Sequence, residues 1–284
     1  MLSLINNMKW RCFKTMKKKK GNNLLLYIAI IAVVGFGAAF AYQAYLYYIW
    51  WSDGQSAQEN TAIVQDIFEE QLQIVSELIS EESEENDEPN PLLNFTALLN
   101  EVRELTGNPD IVAYIHISDT NVSNAVLQGH DNSYYLNRDM FGNFNSNGSI
   151  FLDYLNSSDF SDPNTVIYGH NMNNGTMFHN LRYYIRDRQF FEDNSIIKII
   201  TDYEVLIYEI FSVFSTRIDF NYIQVEFDSP EEFEYLIREF NRRSIFSTDI
   251  NPTVDDRILT LSTCTNVDND TRIVVVSKLV ERLY

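Results

Sequence analysis

The residues able to do nucleophilic chemistry in this chain are few: two cysteines, Cys12 and Cys264, and four histidines. Residues Arg257 to Thr263 (RILTLST) read as a strand, and Cys264 stands at its end. A polar loop, Thr265 to Thr271 (TNVDNDT), follows, and a second strand opens at Arg272 (RIVVV). Pairing of these strands as a hairpin sets Cys264 opposite Arg272, with Cα atoms about 4.5–5.5 Å apart. A guanidinium so placed favours the thiolate and can donate hydrogen bonds to an oxyanion formed at that sulfur. The plainer alternatives are an arginine that only ends a surface strand and a buried, inert thiol.

A thiol nucleophile usually works with a base. His116 falls on the strand face opposite the apolar one and is expected towards solvent. His130 lies in a turn (Gly129 to Asn132), and His179 sits beside Phe178 on an expected helix. His170 follows the strand Thr165 to Tyr168 and Gly169, just before a polar loop, a placement like that of Cys264 itself. On chemistry alone the choice between His170 and the other three stays open. The carboxylates show no EF-hand-like spacing, and no metal is expected.

The elements that must position these groups are mostly strands. Expected strands are Ile111 to Ile117, Asn124 to Gln128, Gly148 to Asp153, Thr165 to Tyr168, Ile196 to Thr201, Tyr203 to Arg217, Arg257 to Thr263 and Arg272 to Val280. Two helices interrupt them, Met177 to Arg186 and Ser229 to Arg243. The second has Ser229 as cap, Pro230 at its first position and acids in its first turn. Many short strands with few helices imply a closed or nearly closed β-barrel. Ahead of it, residues 56–80 carry apolar side chains at helical spacing, as a helix packed on the body or a stalk. A charged linker (ELISEESEENDE, Glu77 to Glu88) and a short helix, Leu92 to Leu105, follow.

The chain also carries one segment able to cross a membrane. Leu24 to Ala41 has no charge, and none appears until Asp53. Tyr42, Tyr45, Tyr47, Tyr48, Trp50 and Trp51 crowd its far end like an interfacial aromatic belt. Seven of the 21 lysines and arginines precede it, placing the N-terminus in the cytoplasm. The run is longer than a signal-peptide core and is followed by bulky aromatics, so an uncleaved anchor is expected rather than a cleaved signal. From Asp53 onward 14 bases face 40 acids, a net of −26, which argues against nucleic acid and anionic lipid as partners. On this topology Cys12 and Cys264 lie on opposite sides of the membrane and cannot form a disulfide. The expected organisation is a basic tail (1–22), an anchor (23–51), a helical and acidic stalk (52–91) and a catalytic domain (92–284).

Several segments resemble one family. TVIYGHNM (Thr165 to Met172) with GTMFHNL (Gly175 to Leu181) is similar to the catalytic-histidine segment of class B sortases. LTLSTC (Leu259 to Cys264) and the following RIVVVSKLV resemble their nucleophile and arginine segments. QGHDNSYYLN (Gln128 to Asn137) and GSIFLD (Gly148 to Asp153) match early strands of the family's barrel, and the resemblance spans residues 90–284. It implies an eight-stranded sortase-type β-barrel with N-terminal helices and an inserted helix. It further implies Cys264 as nucleophile, His170 as general acid/base, Arg272 as oxyanion or substrate stabiliser and Ser262 as a substrate-groove residue. Cys264 is followed by Thr265-Asn266 where many relatives have an acidic residue.

The implied reaction cuts the C-terminal sorting signal of a surface protein, of LPxTG or NPxTN type, after Thr through a thioacyl enzyme. The acyl group then passes to an amine of the peptidoglycan cross-bridge or its lipid-linked precursor, outside a Gram-positive cell and without a cofactor. Unperturbed Cys (about 8.5) and His (about 6.5) are mostly neutral at pH 7. Attack then needs proton transfer from Cys264 to His170 or a minor thiolate–imidazolium population. The alternatives are a pilin-polymerising sortase and a non-catalytic, membrane-tethered extracellular binding domain.

Overall fold

The computed structural model describes residues 23–80, 95–264 and 270–284. The expected basic tail, the acidic linker with the start of the Leu92 helix, and most of the polar loop after Cys264 lie outside these residues. The chain divides into two compact units at Trp50/Trp51. Helix α1 (Asn23–Ser80) begins in the first unit, and its most apolar window has a mean hydropathy of 2.5 with none of it buried. It is the one described helix long and apolar enough to cross a membrane.

The second unit is built on eight strands: β1 (Ile111–His116), β2 (Ser123–Leu127), β3 (Ile150–Leu152), β4 (Asn164–Tyr168), β5 (Ile196–Ile200), β6 (Val205–Arg217), β7 (Ile258–Cys264) and β8 (Thr271–Leu283). They close into a barrel in the order β1-β2-β3-β4-β7-β8-β6-β5. Its interior is filled by inward-facing Ile, Val, Leu and aromatic side chains such as Ile115, Ile167, Tyr208, Leu261 and Val275. Closure leaves no open sheet edge.

Three helical pieces lie outside the barrel and change what its outer face can hold. The body part of α1 buries Val64, Phe68, Leu72 and Val75 with Phe95, Leu99 and Val102 of α2 (Phe95–Thr106) over β1 and β5. Phe68 stacks on Tyr114 with ring centroids 4.1 Å apart. This cover is why Tyr114 is buried although a period-two reading points it to solvent. Helix α5 (Pro230–Arg243) packs Phe233, Leu236, Ile237 and Phe240 on Phe211, Phe214, Val274 and Val276 of β6 and β8.

Two local expectations need correction. The helix expected over Met177 to Arg186 is a 3-10 turn (Phe178–Asn180) followed by a single turn, α3 (Leu181–Tyr184). Met177 has φ near 55°, which breaks regular helix at its start. A further short helix, α4 (Arg188–Asp193), has no apolar period to reveal it. Asp187 caps it by accepting from the Gln189 and Phe190 amides.

His116 is not turned to open solvent but half-buried, with Nδ1 3.1 Å from Ser123 Oγ. It pairs across the ladder with Lys198, whose Nζ donates to Ser76 Oγ of α1 at 2.7 Å. Burial, then the Lys198 charge, lowers the His116 pKa to about 4, with Asp119 opposing. The folded state therefore binds fewer protons than the unfolded chain between the usual value of about 6.5 and about 4. The stability this contributes is present above pH 6.5 and is lost as pH falls through 4, on the order of 2–3 kcal/mol. His116→Gln should therefore show a shallower decline in urea midpoint from pH 6.5 to 4 than the parent. Equal declines would refute the assignment.

Candidate active site

The site is assembled by register at one end of the barrel. Strands β4 and β7 run parallel, with Tyr168 opposite Ser262. The Gly169 amide donates to the Ser262 carbonyl at 3.2 Å and carries the pairing one residue further. His170 and Cys264 each stand two residues beyond that matched pair. Strands β7 and β8 run antiparallel, and their ladder ends on Cys264 opposite Arg272. Three neighbouring strand ends thus deliver an imidazole residue, a thiol residue and a guanidinium residue side by side.

Beside them lies a groove of about 360 Å³. Its floor is Tyr168 at the end of β4 with Gly169 and His170 just beyond it, Ser262 and Thr263 from β7, and Arg272 from β8. One wall is Asn132 and Leu136, around the 3-10 turn Tyr134–Asn137. The other is Ile218 to Ile223, the segment that follows β6. Exposed Leu136, Ile218 and Ile223 make the rim apolar, suited to an extended peptide with apolar side chains.

The walls are held by specific contacts. The hydroxyls of Tyr222 and Ser262 share a hydrogen bond of 2.8 Å, joining the far wall to β7. Phe220 lies under the Arg243 guanidinium of α5, 3.9 Å from the ring centre. On the other side Asp153 accepts from Tyr168 Oη at 2.7 Å and from Asn132 Nδ2 at 2.9 Å. Burial and the Asp153 carboxylate hold the Tyr168 phenol well above its ordinary pKa, so it stays neutral.

His170 is half-buried, and its Nε2 lies 2.7 Å from the Leu136 carbonyl oxygen. A carbonyl can only accept, so the neutral ring carries its proton on Nε2 and keeps the lone pair on Nδ1. The contact fixes ring orientation and assigns Nδ1 as the basic atom. The other histidines lie elsewhere: His130 is exposed beside Asp131, His179 donates Nδ1–H to the Met172 carbonyl at 2.6 Å, and His116 is half-buried on β1 beside Ser123. Leu136 and Tyr222 were not identifiable beforehand. They stand 34 and 40 residues from their partners, and one acts through a backbone oxygen. Among the described residues no group of three or more His, Cys, Asp or Glu is arranged to hold a metal ion.

A closed barrel that brings Cys, His and Arg to adjacent strand ends above a peptide-sized groove has the construction of a cysteine acyl-transfer enzyme. A family model described as a sortase domain matches residues 115–280. Sortase B of Staphylococcus aureus (strain NCTC 8325) is 38% identical over 176 residues, 61% of this chain and 72% of that one. Sortase B of Listeria monocytogenes serovar 1/2a is 39% identical over 188 residues, 64% and 75% of the two chains. The structure of a Staphylococcus aureus sortase B–substrate complex superposes with a TM-score of 0.63 at 29% identity, covering 80% of this chain and 94% of that one. The chain belongs to the sortase family, in its class B. It is therefore a cysteine transpeptidase acting on the sorting signals of surface proteins, and the reading as a non-catalytic binding domain is set aside.

Proposed function

We propose that Cys264, His170 and Arg272 carry out the two acyl transfers. The Cys264 sulfur attacks the threonine carbonyl carbon of a sorting signal lying in the groove. Its proton goes to Nδ1 of His170, and the Arg272 guanidinium donates to the oxyanion. His170 returns the proton to the departing amine as the carbon–nitrogen bond breaks, leaving a thioester and a free C-terminal fragment. An amine from the cell-wall cross-bridge or its precursor then attacks the thioester, giving its proton to His170. Collapse forms the new amide and restores the thiol.

The observation that carries this reading is the register placing the three residues on adjacent strand ends, Cys264 directly opposite Arg272. Ser262 holds Tyr222 in the groove wall and shapes the peptide site. The structure of the Staphylococcus aureus relative as a sortase B–substrate complex supports substrate binding on this fold. The apolar helix after a basic N-terminus supports a chain anchored with its tail in the cytoplasm and residues 52–284 outside.

Mass spectrometry of the full chain in vesicles with LPxTG- and NPxTN-type peptides tests the chemistry. Without an amine, the tryptic peptide containing Cys264 should gain the mass of the peptide up to its threonine, and hydroxylamine should release it. With triglycine added, the ligated peptide should form instead. Cleavage without an adduct or ligated product would exclude the thioacyl route.

A further inference from the structure

The first turn of the body part of α1 is wired to both sides of His170. Asp53 Oδ2 accepts from the Ser146 amide at 2.9 Å, and the Asp53 carbonyl accepts from Asn145 Nδ2 at 3.1 Å. Asn145 Oδ1 in turn accepts from the backbone and side-chain nitrogens of Asn147, both at 2.9 Å. Asn147 Oδ1 accepts from Asn174 Nδ2 at 2.7 Å. Asn174 Oδ1 accepts from the Thr176 hydroxyl at 2.7 Å and its amide at 3.1 Å. Asn145, Asn147 and Thr176 are buried, so these links are costly to break.

Asn174 and Thr176 belong to the loop that leaves His170. That loop closes on itself through the Asn171–Met177 bridge and the Phe178 amide, which donates to the His170 carbonyl at 2.9 Å. Met177, with φ near 55°, is a strained joint at its base that persists only if its surroundings hold it. The second side is the 3-10 turn. The Asn145 amide donates to the Asn137 carbonyl at 3.0 Å, next to the Leu136 oxygen that receives His170 Nε2. Gly54 lets α1 approach: a Cβ there would meet Asn174 Nδ2 at 2.7 Å.

We infer that Asp53, Asn147 and Asn174 are positioning residues for His170, by which the helix entering the catalytic unit sets the imidazole's place and orientation. The inference rests on His170 being the acid/base. The residues do not touch the substrate groove; they act by holding the backbone on which His170 stands and the carbonyl that orients its ring. A displaced imidazole loses proton transfer before it loses peptide binding.

The test uses the full chain in vesicles, a quenched sorting peptide with triglycine, and the NMR titration of the His170 ring. Asn174→Ala should lower kcat by about tenfold or more while KM for the peptide stays within about twofold. The His170 titration midpoint should move. Asp53→Ala should do the same and Asp53→Asn, which keeps an acceptor for Ser146, should recover most of the loss. Gly54→Ala covers the event that these variants fold poorly. Alanine favours the helix, so thermal stability should hold while kcat falls as Asn174 is pushed aside. Wild-type kcat and an unmoved His170 titration in folded Asn174→Ala or Gly54→Ala would overturn the inference. Full activity in His170→Ala would instead overturn the acid/base reading on which it rests.

Discussion

Cys264→Ala should lower sorting-peptide turnover by about 10⁴-fold or more, down to the uncatalysed background. Without sulfur no thioester can form, and among the described residues no neighbouring group in the groove offers an equivalent nucleophile: the floor holds hydroxyls, an imidazole and a guanidinium. Cys264 ends β7 and shares its ladder through backbone bonds, which alanine also makes, so the pairing with Arg272 should survive. The peptide should still bind, measurable as unchanged affinity by fluorescence anisotropy. Residual turnover above a few per cent of the parent would mean that Cys264 is not the nucleophile.

His170→Ala should cost about 10³-fold in kcat, within the range for loss of a positioned acid/base. In the proposed mechanism one imidazole serves twice, taking the thiol proton and then protonating the leaving amine, so its loss should affect both halves of the reaction. His170→Gln separates proton transfer from shape. Its amide nitrogen, three bonds from Cβ like Nε2, can donate to the Leu136 carbonyl in place of Nε2–H but cannot relay a proton. Both variants should therefore be similarly impaired. If His170→Gln kept most of the activity, the residue would be holding the groove's form and a different group would be moving the proton. The pH–rate profile should also lose the limb that belongs to the imidazole.

Much of this site could be read from local pattern, for a physical reason. The strand before Cys264 and the one from Arg272 are dense in β-branched and apolar residues, and a short polar loop joins them. Register in such a hairpin follows from loop length and the buried face, so the Cys264–Arg272 pairing is a local property. The Pro230 start of α5 is local in the same way, since the fixed φ of a proline at the first helical position needs no distant partner, although Ser229 at the N-cap makes no side-chain capping bond. The uncharged run before Asp53 likewise needs only composition and length.

What lies between distant segments was decided only by closure of the barrel. Strand β4 pairs with β7 across an interval of more than 80 residues, and no periodicity within either strand names the other as its partner. That pairing, rather than any motif, brings His170 to Cys264. The same holds for the Leu136 carbonyl at His170, for Tyr222 against Ser262, and for Tyr114, whose burial comes from a helix laid over an outward strand face. Local sequence determined which residues could do chemistry and which strands carry them. The tertiary structure decided which of four histidines stands at the strand end next to that of Cys264, because strand order in a closed barrel is set by packing the whole core at once.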